Sequence, residues 1–261
     1  KTKLVTWVQD LWPDSVFSHF YSNNKKYPLN KFLRKVITWL CMKVYSTSDL
    51  LLAQSHSYKE ELSKNLIGKD VKLIFNTIDD KNLFFEKEIN FRKKDDTLKI
   101  VSAGNFSTTI PYELFIDAIN QLKINYEDKI IWNFYGNGSK YQYFRDLIKK
   151  NNLQDVVRIH GSVEQEKLPE ILKQNDLFLL GLIDEDLVSR TCPSRLIYAM
   201  ANGMPIIACA KGEIAQILTR SNCGLLSSPE SKDELVNNVM KIKSMKDDEI
   251  EVMSKNSIKF Y

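Results

Sequence analysis

Cys192-Pro193-Ser194-Arg195-Leu196-Ile197-Tyr198-Ala199-Met200-Ala201-Asn202-Gly203-Met204-Pro205-Ile206-Ile207-Ala208 decides how this chain is read. An apolar run precedes it, Asp176-Leu177-Phe178-Leu179-Leu180, with the character of a buried strand. The stretch itself spells a loop, a helix opened by Pro and Ser, a Gly stop and a second apolar strand. Pro sets φ for a helix start and Ser suits the cap. Amides at such a start attract anions, and Arg195 adds a cation with a bidentate fork. The same pattern also describes an ordinary helix N-terminus in an α/β domain, so its neighbours must decide.

Working outward, strands are expected at 98–103, 129–135, 156–160, 176–180, 204–208 and 223–226. Helices are expected at 111–123, 139–151, 165–173, 193–202 and 212–219, and 231–243 and 247–258 close the chain. Strict alternation predicts a doubly wound parallel sheet with its ligand at the carboxyl ends of the strands. An earlier section reads strand 3–9, helix 28–46, strand 50–54, helix 57–65 and strand 71–75. Between the two sections, residues 77–97 carry mixed charge around Phe84 and Phe85 and read as a linker with an aromatic anchor.

Composition sets the outer limits. The chain has 261 residues, 43% hydrophobic and 27% charged, with net charge +4. That is ordinary for a globular protein and too mild a charge to imply nucleic acid. Cys41, Cys192, Cys209 and Cys223 have no paired spacing and read as free thiols in a reducing compartment. His19, His56 and His160 are isolated, so no metal centre is expected. No apolar run reaches membrane-spanning length, and no signal peptide opens the chain. It begins at Lys1 and falls at once into Leu4-Val5-Thr6-Trp7-Val8, so sequence preceding residue 1 is expected.

Three loops follow predicted strands: Ala103-Gly104-Asn105-Phe106, Tyr135-Gly136-Asn137-Gly138-Ser139, and Cys192-Pro193-Ser194-Arg195. Gly104, Gly136 and Gly138 let backbone approach a bulky anion. None of these loops is a Walker sequence or a full dinucleotide fingerprint, which counts against ATP hydrolysis and hydride transfer.

The ordered motifs resemble GT-B-type retaining glycosyltransferases (family 4-like) that build bacterial capsule, O-antigen or exopolysaccharide. Trp7-Val8-Gln9-Asp10-Leu11-Trp12-Pro13-Asp14-Ser15 is similar to their V-Q-D-L-W-P-E-S segment, and Ile74-Phe75-Asn76-Thr77-Ile78-Asp79 to I-P-N-G-I-D. Ala103-Gly104-Asn105 resembles the G-N that opens the donor domain. Phe134-Tyr135-Gly136-Asn137-Gly138 resembles G-x-G. Pro193-Ser194-Arg195-Leu196 with Gly203-Met204-Pro205-Ile206-Ile207 resembles P-S-K-L followed by G-K-P-I-I. Gly212-Glu213 and Gly224-Leu225 match later positions.

The resemblance implies an α/β fold of two Rossmann-like domains, the first incomplete. Residues 1–80 would be part of the acceptor domain, 81–97 a linker, 98–245 the donor domain and 246–261 a closing helix. It implies sugar transfer from a UDP-linked donor to a saccharide or lipid-linked saccharide, with no cofactor or metal. The location implied is cytoplasmic, at the inner face of the plasma membrane. Donor contacts would come from Gly104, Asn105, Phe106, Gly136, Gly138, Pro193, Ser194, Arg195, Tyr198 and Glu213. Catalytic roles fall to Arg195 at the leaving diphosphate and to Asp10 on the acceptor side. Asp10 also suits a turn cap, and Glu213 a first-turn carboxylate.

The family carries two glutamates eight positions apart, the second holding the ribose. Arg190 and Tyr198 stand there instead, and Ser107-Thr108-Thr109-Ile110 lacks the usual loop lysine. Tyr198 is expected beside the ribose, one turn beyond Ser194, or else packed in the core. These departures also fit a non-catalytic subunit that binds or stabilises a partner transferase. The segment 30–43 is a basic amphipathic helix, suited either to a membrane surface or to packing on the sheet.

Overall fold

The computed structural model describes residues 2–15, 17, 31–78, 97–125 and 130–261. Most of the 81–97 linker, with Phe84 and Phe85, lies outside the described residues, as do 28–30 of the first helix. The chain divides into two compact units: Lys1–Asn76 with Glu185–Cys192, and Thr77–Asp184 with Pro193–Tyr261.

In the first unit, β1 (Val5–Val8), β2 (Leu50–Ala53) and β3 (Val71–Leu73) form a parallel sheet in that order. Val5 pairs with Leu50, and Leu51 with Val71. Parallel neighbours require crossovers, supplied here in part by α1 (Lys31–Ser46) and α2 (His56–Asn65). Val8, Leu51, Ala53, Tyr58 and Leu62 form the core between sheet and helices. Ser55 caps α2: its Oγ accepts from the Tyr58 amide and donates to the Arg190 carbonyl at 2.7 Å. Arg190 in turn pairs with Asp186 at 2.5 Å and stands 3.8 Å from Asp14.

The second unit holds six parallel strands: β4 (Leu98–Ala103), β5 (Ile130–Tyr135), β6 (Val157–Gly161), β7 (Leu177–Gly181), β8 (Ile206–Cys209) and β9 (Gly224–Ser227). Their spatial order, β6-β5-β4-β7-β8-β9, is the doubly wound order that reverses between β4 and β7. The crossovers run through α3 (Tyr112–Asn125), α4 (Tyr141–Lys150), α5 (Leu168–Lys173), α6 (Asp186–Ser189), α7 (Ser194–Ala201) and α8 (Glu213–Ser221). Of these, α6 belongs to the first unit. Helices α9 (Lys232–Ser244) and α10 (Asp247–Phe260) close the chain.

The inner strands β7 and β8 are apolar runs buried along their whole length, as expected where a parallel sheet is covered on both faces. Phe115, Trp132, Phe144, Leu177 and Leu179 are buried in one continuous cluster. Aromatic rings fill the space between β5, α3 and α4: Phe144 lies 4.8 Å from both Tyr112 and Phe134, centroid to centroid. Two details differ from the sequence reading. The segment 165–173 begins as a 3-10 turn (Gln165–Lys167), and the four-residue α6 replaces an expected loop.

Candidate functional site

At a reversal of strand order the flanking crossovers leave on opposite faces, so a crevice opens beyond the strand ends. Here the loops at that edge are tied to one another. The Gly104 amide donates to the Tyr135 carbonyl at 2.9 Å, Gly136 to Gly161 at 2.7 Å, and Phe106 to Asn137 at 2.8 Å. The parallel ladder thus continues past the strands. Its closeness explains Gly136: a Cβ there would sit 1.8 Å from the Gly104 carbonyl oxygen. Gly104, Gly136 and Gly138 all have φ between 137° and 150°, which favours glycine.

Beside these loops lies a cavity of about 330 Å³. Ala103, Gly104 and Asn105 from the first loop line it, with Tyr135, Gly136 and Asn137 from the second. Ser162, Val163, Gln165 and Leu168 after β6 complete it. The lining therefore combines backbone and amide groups with apolar surface and has no charged side chain, the makeup of a small-molecule site.

Arg195 supplies charge at the same edge. Its Nη2 donates to the Gly181 carbonyl, at the end of β7, at 3.1 Å. Its Cδ would lie 3.2 Å from a Cβ on Gly104, so the side chain lies directly against the first loop. Nε is buried without a hydrogen-bond partner. Burial draws the guanidinium down to about 10, still cationic at neutral pH, while nearby Tyr112 acts in the opposite direction. A half-buried cation with a buried, unmet donor is costly unless an anion joins it. A phosphate would relieve that cost bidentately.

The expected donor residues divide into three groups. Gly104, Asn105 and Gly136 line the cavity, and Arg195 lies against Gly104. Gly138 packs beside them, since a Cβ there would meet Asn105 Oδ1 at 2.2 Å. Pro193 occupies the N-cap of α7 and offers no side-chain cap, while Ser194 is exposed. Phe106, Tyr198 and Glu213 turn inward. Phe106 is 3% exposed and packs among Tyr112, Tyr141 and Phe144. Glu213 is fully buried at the start of α8. Tyr198 is 5% exposed and donates to the Gln165 carbonyl at 3.3 Å. Asp10 is exposed after β1, in the first unit.

Sequence reasoning missed the third wall of the cavity, Ser162 to Leu168. The signal was the end of β6, which the doubly wound order brings next to β5. It also missed the stack of His160 on Tyr135, 4.2 Å between centroids at 6°. Nε2 of His160 pairs with Asn133 Oδ1 at 2.9 Å, and Asn133 Nδ2 donates to Asn175 Oδ1 at 2.8 Å. This chain, buried at Asn133 and Asn175, stiffens the Tyr135 side of the cavity. Burial, assisted by Arg158, holds the imidazole below its usual value.

The family described as "Glycosyl transferases group 1" matches residues 84–260. An uncharacterized glycosyltransferase of Methanocaldococcus jannaschii is 25% identical over 197 residues, covering 71% of this chain and 48% of that protein. The chain spans about half the length of the curated relatives it matches. Among solved structures, sucrose-phosphate synthase of Thermosynechococcus elongatus superposes with a TM-score of 0.72 at 17% identity. That match covers 98% of this chain and 62% of the other. Anabaena HepE, solved with UDP and glucose, gives a TM-score of 0.69 at 15% identity, covering 98% and 66%.

Proposed function

Because the chain belongs to the group 1 glycosyl transferases, we propose that its second unit binds the nucleoside diphosphate of a UDP-linked sugar for retaining hexosyl or N-acetylhexosaminyl transfer. One observation carries this: the half-buried Arg195 at the β4/β7 reversal, its Nε buried without a partner, beside a cavity with an uncharged lining. Arg195 takes the diphosphate, and the cavity takes the nucleoside. Cleavage of the glycosyl–phosphate bond builds charge on the leaving diphosphate, and a fixed guanidinium stabilises it without reorganising. The HepE complex, with UDP bound in the same fold, supports the choice of nucleotide.

The acceptor we assign is a saccharide or lipid-linked saccharide of bacterial surface polysaccharide, following the Trp7–Ser15 motif. Asp10 is its polar contact. Contact with the inner membrane face is assigned to α1, where Phe32, Trp39 and Val44 stay exposed alongside Lys35 and Lys43. Among the described residues no helix is long and apolar enough to cross a membrane.

Calorimetry of the chain against UDP and GDP tests the donor assignment. Arg195→Ala should weaken UDP by about 1.5–3 kcal/mol, the range for a charge-assisted hydrogen bond. Unchanged affinity would remove Arg195 from the site. A non-catalytic, partner-stabilising role has one observation in its favour, the inward Tyr198 at a position where the family carries a carboxylate. UDP release from UDP-sugars separates the two: turnover excludes the non-catalytic reading.

A further inference from the structure

We propose that Tyr198 is a positioning residue for the nucleoside end of the cavity: its phenol fixes the 162–168 wall through the Gln165 carbonyl. The proposal rests on the donor-site reading above.

The wall has little to hold it. Residues 162–167 are exposed throughout. Within the wall, the Gln165–Lys167 turn and the 2.7 Å Lys167–Glu164 ion pair are local contacts. At one end it is tied to the sheet through the Gly136 amide and Gly161 carbonyl, and at the other Pro169 is buried. Midway, the tie from the unit's interior is the Tyr198 hydroxyl on the Gln165 carbonyl. Gln165, Ser162, Val163 and Leu168 all face the cavity, so the point held is a point of the lining.

Tyr198 suits this task. Asn202 donates to its carbonyl through both backbone and side chain, at 3.2 and 2.9 Å, which locks the residue in α7. Burial pushes the phenol up to about 12, so at physiological pH it remains a donor. A carbonyl can only accept, so a carboxylate at this position has no proton to offer Gln165 and would set its charge against the negative end of the carbonyl dipole.

Three versions of the chain test the proposal: wild type, Tyr198→Phe and Tyr198→Glu, each titrated with UDP and with inorganic pyrophosphate. The bond is long for a hydroxyl donor, so Tyr198→Phe should weaken UDP by roughly two- to tenfold. Pyrophosphate binding should stay within about twofold, because Arg195 is untouched. Amide exchange across 162–168 should quicken. Tyr198→Glu should weaken UDP more than Tyr198→Phe does. Equal UDP affinity in wild type and Tyr198→Phe overturns this proposal and leaves the donor reading standing. So does a parallel loss of both ligands, the mark of general damage. Tighter UDP binding by Tyr198→Glu also overturns it, by placing position 198 against the ligand. Failure of wild type to bind UDP overturns both readings.

Discussion

Gly136→Ala puts one methyl group where two loops meet. The added Cβ would stand 1.8 Å from the Gly104 carbonyl oxygen and 2.9 Å from its carbon. Neither is the end of a flexible side chain. The Gly104 amide is held by Tyr135 and the Gly136 amide by Gly161, so relief requires giving up part of that ladder. Two lost hydrogen bonds cost about 0.5–1.5 kcal/mol each. An alanine at φ 137° adds about 1–3 kcal/mol of backbone strain. The sum is roughly 2–6 kcal/mol.

Gly161→Ala is the matched control. It also has positive φ, 74°, but a Cβ there meets nothing within 4 Å. It should cost only the left-handed penalty, about 1–2 kcal/mol. Scanning calorimetry should show the second unit's transition about 2–4 °C lower for each kcal/mol lost. Gly136→Ala should therefore melt well below Gly161→Ala and bind UDP at least about tenfold more weakly, since the displaced loop lines the cavity. If the two variants melt within a degree of each other, the loops are not locked as described.

Arg195→Lys should recover only part of the UDP affinity lost in Arg195→Ala, because an ammonium keeps the charge but not the fork; full recovery in calorimetry would reduce Arg195 to a point charge. Phe144→Ala removes a fully buried ring packed on Phe106, Tyr112 and Phe134, and should cost about 3–5 kcal/mol in chemical denaturation. Burial raises Tyr58 and Tyr198 to about 12 and Tyr112 further, above the unfolded value near 10. The folded state thus holds these protons more tightly. That stability is complete below pH 10 and lost as pH rises through 12. Melting temperature should fall steeply across that interval, and a flat profile to pH 11.5 would contradict the burial of these phenols.

The strands of the second unit were legible because its apolar runs are bounded by turn formers. The predicted strand 98–103 coincides with β4, and the other strands shift by no more than two residues at either end. Adjacency was less legible. Spacing along the chain does not tell that β7 lies beside β4, and that contact is what brings the Arg195 partner, Gly181, next to Gly104. The short α6 escaped notice because four residues show no period; what marks it is local, Ser189 Oγ on the Asp186 carbonyl at 2.7 Å.

Tyr198 shows where helical periodicity misleads as a guide to exposure. Residues four apart share a face, but they share exposure only if the helix keeps that face to solvent along its length. α7 does not: Ser194 is exposed, yet Leu196 through Ala201 are all buried. The helix dives into the unit as it proceeds, so a position one turn beyond an exposed residue is already interior. A phenol can enter such a place if its hydroxyl finds an acceptor, and the Gln165 carbonyl is that acceptor. Phe106 follows the same logic without a polar handle, leaving a glycine loop to join the aromatic cluster beneath it. Phe106 is expected at the ligand because it follows Gly104-Asn105, and Tyr198 because it stands one turn beyond Ser194 at the family's glutamate position, with the core as its alternative. Both instead lie behind the cavity, which is lined by backbone, amide and apolar groups with the ring of Tyr135, the Arg195 guanidinium standing at the same edge.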